Sequence, residues 1–297
     1  VNGSVEEYAS VADREGWLRH EVLLIMLGTV TTLCLCFRAG FVQAATWHAF
    51  AATALLFVWL SYAKRSESVV WQKLRFCAAY LFVLWFYCSV AWIVPALRIA
   101  TYDAQLLAID RAVLGQTPAV TMQAWSSTWF NELMSACYLS YLVYLHVCVV
   151  QALLQDADIT RRFAKWVFSV YAIGLGGYLI FPAVGPARAY SDLFAATISG
   201  PLFTPLNRWV VESGSSVYDA FPSLHALITL TLLEFDRQFH RRRFQIMIVP
   251  AIGIFTSAIY LRYHYLIDLV AGGGLFIVAC FVLRERPAVG VEAGKSE

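Results

Sequence analysis

Two short segments carry residues suited to covalent chemistry. The first reads Asp219-Ala-Phe-Pro-Ser-Leu-His225-Ala. Pro222 suits the first position of a helix, because its missing N–H would have no partner there. Ser223 and His225 then fall in the first turn, where free backbone N–H groups and the helix dipole favour an anion. The second segment reads Arg262-Tyr-His264-Tyr-Leu-Ile-Asp268. His264 and Asp268 are four apart and would share one helical face. An acid one turn from a histidine can fix its tautomer and steady its charged form. A third segment, Phe181-Pro-Ala-Val-Gly-Pro-Ala-Arg188-Ala-Tyr190, breaks a helix and aims Arg188 at a ligand. Together these residues suit the cleavage of a phosphate ester. His264 is the candidate nucleophile, held by Asp268, and His225 the candidate proton donor. Arg188 and Arg262, with Ser223, are the candidate phosphate-binding groups, since guanidinium forks match phosphate oxygens.

The elements that must position these residues follow from composition. Of 297 residues, 60% are hydrophobic and only 14% are charged. Soluble domains carry about 25% charge. So few charges cannot cover a water-facing surface, and a net charge of +2 gives no dense basic face for nucleic acid. An ordinary soluble enzyme, a disordered chain and a nucleic-acid partner are all excluded. The spacing predicts an all-α polytopic membrane bundle. Eight apolar stretches, near 21–37, 41–63, 76–97, 133–153, 166–183, 222–236, 244–260 and 263–283, approach the ~20 residues that span a bilayer. The first and sixth are short. The seven cysteines lie in apolar runs without framework spacing and read as small packing residues. His48 and His146 read as packing residues, and His240 as part of a basic loop.

Charge asymmetry orients the bundle. Arg14, Arg19, Lys64, Arg65, Lys73, Arg75, Arg161, Arg162, Lys165, Arg237, Arg241, Arg242, Arg243, Arg284, Arg286 and Lys295 gather on one side. That side is expected to be cytoplasmic. Residues 1–20 then read as a cytoplasmic segment and not a signal peptide, 21–75 as two accessory helices, 76–283 as the catalytic core and 284–297 as a cytoplasmic tail. Both histidine motifs fall on the opposite face, with two long connections at 98–132 and 184–221. In the first connection, Leu106, Leu107, Ile109, Val113 and Leu114 suggest one apolar face of a short interfacial helix. A site at the bilayer edge points to membrane lipids as substrates.

Phe221-Pro-Ser-Leu-His225-Ala and His264-Tyr-Leu-Ile-Asp268 resemble the second and third motifs of the type 2 phosphatidic acid phosphatase superfamily. Ile109-Asp110-Arg-Ala-Val-Leu-Gly115-Gln-Thr-Pro118 is similar to its inositol phosphorylceramide synthase-like branch. The resemblance covers roughly residues 76–283. It implies a six-helix catalytic core, a phosphohistidine on His264 and an orienting role for Asp268. It also implies that His225 acts as acid and then base, with no metal and no cofactor. The chain departs from the superfamily in three places. Leu224 replaces the usual glycine of the second motif. Ser257 fits the third motif, but Ala258 stands where its arginine should be, and Arg262 is the candidate replacement. The first motif is missing, and Arg188 is the candidate equivalent.

Water in place of an alcohol acceptor would make the enzyme a lipid phosphatase. A transporter with a His/Asp proton relay predicts charges spread through the membrane depth. A zinc hydrolase would use His225, His264 and Asp268 as ligands. A scaffold without activity leaves Asp268 and the Pro-Gly loop unexplained.

Overall fold

The computed structural model describes residues 16–66 and 68–283. Arg14, Arg284, Arg286, Lys295, most of the 1–20 segment and the 284–297 tail lie outside the described residues. In chain order the helices are α1 (Arg19–Arg38), α2 (Ala44–Ala63), α3 (Val69–Leu97), α4 (Asp103–Leu114), α5 (Pro118–Met122) and α6 (Thr128–Leu154). They continue with α7 (Ala157–Ile180), α8 (Pro186–Ala189), α9 (Phe203–Gly214), α10 (Leu224–Phe239), α11 (Arg241–Tyr260) and α12 (Leu266–Leu283). No strand occurs among the described residues.

Every predicted apolar stretch is a helix. Seven of them, α1, α2, α3, α6, α7, α11 and α12, are long and apolar enough to cross a membrane. The sixth predicted stretch, α10, has 16 residues. Its last turns carry Glu234, Asp236 and Arg237, and it packs against α7, α11 and α12. Large apolar side chains such as Val30, Leu55, Val143 and Phe281 face outward. Water would penalise that arrangement, whereas lipid tails accept it.

The most buried span is α7. Phe168 meets Phe76 of α3 at 5.0 Å between ring centroids, and Phe163 meets Phe235 of α10 edge-on at 5.1 Å. The accessory α1 also lies along α7, and a buried Arg75–Glu21 ion pair of 2.6 Å ties it to α3. Polar contacts gather the basic connections at one end of the bundle. Arg19 donates to the Val282 carbonyl, Arg161 to Gln72, and Arg243 to Asp236 and Gln151. At the other end Arg38 donates to the Leu97 carbonyl, and there α4, α5, α8 and α9 fold over the bundle.

The predicted interfacial helix is present as α4, but its apolar residues divide. Leu106 and Leu107 are buried against Ala183, Ala220 and Tyr265, while Ile109, Val113 and Leu114 are exposed. For Val113 and Leu114 the split runs along the helix and not around it: they share the faces of Leu106 and Leu107 seven residues earlier, but lie in the last turn, beyond the Ala183–Ala220–Tyr265 contact.

One close approach sets the site end. The Ser223 amide donates to the Asp268 carbonyl at 3.0 Å, joining the start of α10 to the start of α12. Gly272 permits this, because a Cβ there would stand 2.6 Å from the Ser223 carbonyl oxygen. Gly272→Ala is expected to push α12 off α10, costing about 1–3 kcal/mol of stability and most of the activity. Gly274→Ala, where a Cβ meets nothing within 4 Å, is the control. Thermal unfolding in detergent checks the pair, and equal melting temperatures would refute the packing argument.

Candidate active site

His264 lies in the turn between α11 and α12. Arg262 adopts φ of 67°, a sparsely populated left-handed conformation for a residue with a side chain. The reversal lets the amides of Tyr263 and His264 both donate to the Ala258 carbonyl, each at 3.1 Å. His264 therefore precedes α12 and does not share a helical face with Asp268. The turn folds its ring back onto Asp268, which sits in the first turn of α12.

The imidazole is held from one side. Its Nδ1 is 2.8 Å from the Ala220 carbonyl oxygen and 3.3 Å from Asp268 Oδ2. Both partners are acceptors, so Nδ1 carries the hydrogen and the neutral ring keeps its lone pair on Nε2. Asp268 Oδ2 is itself fixed by the Tyr265 amide at 2.8 Å. His264 Nε2 faces His225 Nδ1 at 3.3 Å and Ser223 Oγ at 3.4 Å.

Ser223 is the N-cap of α10, and its Oγ accepts the Ala226 amide. Pro222 therefore precedes the cap and does not take the first helical position. With the Ser223 amide bound to Asp268 and the Ala226 amide to Ser223, this helix end offers fewer free donors than the sequence suggests. His225 stays in the first turn. Tyr138 and Tyr141, three apart on α6, grip its ring with centroid distances of 4.5 and 4.4 Å.

Both histidines line a cavity of about 600 Å³. Its inner walls include Val83 and Leu84 of α3 and Leu142 and Leu145 of α6. Its opposite wall is mixed: Arg188, Asn207, Arg208, Glu212 and Asp219 share it with Phe194, Ile198, Val210 and Val211. Arg188 reaches the cavity because the Ala187 amide donates to the Arg262 carbonyl at 2.8 Å, pinning α8 to the histidine turn. Gly185, at φ of 82°, lets that backbone pass beside Tyr263. Arg188 keeps one side-chain contact, to Ser215 Oγ at 3.3 Å. Arg262 also borders the cavity, but its guanidinium donates to the Ala196 carbonyl at 2.5 Å and lies 4.3 Å from the Phe194 ring centroid. Burial pushes its pKa down. Ser257 does not line the cavity; its hydroxyl turns back to the Ile254 carbonyl within α11.

Two carboxylates of α4, Asp103 and Asp110, complete the frame, and the sequence motifs do not assign them a role. Asp110, 3% exposed, accepts the Leu266 amide at 3.0 Å, the Ile267 amide at 3.1 Å and the Thr117 hydroxyl at 2.8 Å. It caps the helix that carries Asp268. Asp103 accepts the Gly185 amide and the Tyr265 hydroxyl, each at 3.0 Å. Their seven-residue spacing on one helix face is the signal that was available.

A metal reading finds no convergent ligand set. His225 faces one ring nitrogen of His264 and Asp268 the other. Among the described residues, no three His, Cys, Asp or Glu side chains are grouped to hold an ion.

The fold and site thus define a polytopic helical membrane protein with a paired-histidine centre at one end. The sequence matches the family model of the PAP2 superfamily over residues 104–282, more than half of its length, and the chain belongs to that superfamily of phosphatases and phosphotransferases. The match begins within α4, later than residue 76 suggested by the motifs. No curated protein and no solved structure matches the chain.

Asp110→Asn keeps the shape but replaces one acceptor oxygen by an NH2 facing an N–H donor. The start of α12 should shift, and kcat should fall about 10- to 100-fold through misplacement of the histidine centre. Steady-state kinetics beside a thermal melt check this; unchanged kcat in a folded variant would remove Asp110 from the frame.

Proposed function

We propose that this chain is an integral-membrane lipid phosphotransferase that works through a phosphohistidine on His264. The observation that supports it best is the imidazole whose Nδ1 is bonded from behind while its Nε2 faces His225, with both rings lining the cavity. In the first step the Nε2 lone pair attacks phosphorus, and the bond from phosphorus to the lipid oxygen breaks. The leaving oxygen takes a proton from His225. In the second step an alcohol gives its proton to His225 and attacks phosphorus, and the N–P bond breaks. Ala220 and Asp268 steady the positive charge that His264 carries while phosphorylated. Arg188, with Ser223, binds the phosphate oxygens, and Arg262 contributes to the same end of the cavity. Lipid chains lie against the apolar wall of α3 and α6. No metal or cofactor enters this sequence of steps.

Leu224 in the second motif and the Ile109–Pro118 segment favour the inositol phosphorylceramide synthase-like, sphingolipid-related branch, with a lipid or polyol hydroxyl as acceptor. Hydrolysis of phosphatidic acid or a polyprenyl phosphate differs only in that water attacks the phosphohistidine. A proton-relay transporter has less support: Asp268 Oδ1 has no partner through which a proton would pass onward. The excess of cations at the opposite end favours an extracytoplasmic site with cytoplasmic termini.

Incubation with a phospholipid carrying labelled phosphate should give acid-labile labelled protein. His264→Ala should lose the label and at least about 10⁴-fold in turnover. Labelled His264→Ala protein with full turnover would overturn the mechanism. His225→Ala should slow alkyl phosphates about 10²- to 10⁴-fold and spare activated aryl phosphates, which leave without a proton. Equal losses on both substrates would remove His225 as the acid.

A further inference from the structure

The helix over the cavity is amphipathic in an unusual sense. On α9, Thr204, Asn207, Arg208, Val211 and Glu212 line the cavity, as does Ser215 just beyond its end. Their spacing of three and four places them along one side. The other side carries Phe203, Leu206 and Trp209, and Trp209 is 65% exposed. A helix bathed in water would do the reverse; apolar side chains turned outward fit the bilayer interface. Its polar side borders the cavity together with Val210, and Arg208 and Glu212 are also exposed. The helix is also firmly seated, since Glu132 of α6 accepts the Leu202, Phe203 and Thr204 amides at 3.1, 2.7 and 2.9 Å.

Asn207 stands out on that inner side. It is 2% exposed, and its amide nitrogen donates to the Tyr263 hydroxyl at 3.0 Å. Its carbonyl oxygen is buried, has no partner and belongs to a residue that borders the cavity. A buried acceptor left unpaired is destabilising, so such an oxygen marks a place where a donor belongs. The Tyr263 ring lies 4.8 Å from Tyr138, which lies 4.5 Å from His225. The orphan acceptor is thus connected to the histidine centre through two tilted rings, Tyr263 and Tyr138. Burial pushes the Tyr263 phenol up, with Arg188 and Arg208 opposing and Glu212 reinforcing, so a protonated hydroxyl stands among charges of both signs.

We propose that the inner side of α9 binds the acceptor alcohol, a hydroxyl-rich head group, with Asn207 accepting a hydrogen bond from one of its hydroxyls. A ligand with two or more hydroxyls can donate one to Asn207 and present another to the histidine centre, which a monohydric alcohol cannot. The inference rests on the transferase reading above. A second hydroxyl of the ligand loses its proton to His225, its oxygen bonds to phosphorus, and the N–P bond to His264 breaks.

The test uses the full chain in detergent, a short-chain phosphatidic acid labelled in phosphate, glycerol as the polyol probe and 1-propanol as the monohydric control. The readout is the ratio of labelled glycerol phosphate to labelled inorganic phosphate. Asn207→Leu should lower this ratio at least tenfold. Asn207→Asp should stay within threefold of the parent, because Tyr263 can donate to one carboxylate oxygen and leave the other for the ligand. An unchanged ratio in Asn207→Leu, equal losses in both variants, or no preference for glycerol over 1-propanol would overturn the proposal. Saturation-transfer NMR of glycerol on a His264→Ala background, which cannot turn over, separates the two readings. A glycerol signal lost with Asn207→Leu and kept with Asn207→Asp supports the acceptor site even where the parent protein forms no phosphohistidine, an outcome that would sink only the mechanism. A signal indifferent to residue 207, or none at all, sinks the acceptor site.

Discussion

Five carboxylates at the site end accept backbone N–H groups from segments that have no regular partner. Asp103 holds the amides of 184 and 185, Asp110 those of 266 and 267, and Glu132 those of 202 to 204. Asp268 holds the amide of 265, and Asp219 that of 216. Lipid supplies no hydrogen bonds, and each unpaired amide there is expensive. Where irregular backbone at this end packs against protein or lipid, something must therefore replace water as its acceptor. Here the replacement is a charge-assisted acceptor, which is stronger than a neutral one. The loops bearing Arg188, His264 and Asn207 owe their placement to these contacts, and so does the cavity they enclose.

That dependence explains what could and could not be read from the chain. The His225 and His264 motifs, the apolar spans and the interfacial α4 are local patterns with fixed periods, so the sequence displays them. Asp110 and Leu266 lie 156 positions apart, and no local pattern announces their bond. Tyr138 and Tyr141 look like ordinary packing residues of a span until His225 is placed between them. Arg262 misleads for the opposite reason. Its position beside His264 suggests phosphate, yet its left-handed backbone turns the side chain toward Ala196 and Phe194. The inverted polarity of α9 has the right period but no sign, since a hydrophobic stripe does not say whether it faces a core or a bilayer.

Scarcity of charge has a second consequence. With 14% of residues charged, few such groups are free of structural duty, and most carboxylates at this end are already bound to the backbone. Glu212 and Arg208 on α9 and Arg188 on α8 are among those that still border the cavity. The same economy holds at the basic end, where Asp236 accepts from Tyr144 and Arg243 and closes the turn between α10 and α11. A charge that faces a cavity in such a protein is therefore a stronger pointer to a ligand than the same charge on a soluble surface.

The fixed orientation of His264 also constrains how two substrates could be handled. Its Nδ1 is bound to Ala220 and Asp268, and flipping the ring would break both bonds and put Cδ2–H against the two acceptors. On the proposed mechanism one nitrogen, Nε2, must then both attack the donor and release the phosphoryl group. Donor alcohol and acceptor alcohol consequently approach from the same side of the ring, one after the other, and share His225. A cavity of about 600 Å³ with an apolar inner wall and a mixed opposite wall meets that requirement. The lipid product can stay among the apolar side chains of α3 and α6 while the acceptor enters beneath α9. On the proposed mechanism, how tightly α9 and its acceptor close that wall against water sets the balance between transfer and hydrolysis, with no change in the histidine chemistry beneath.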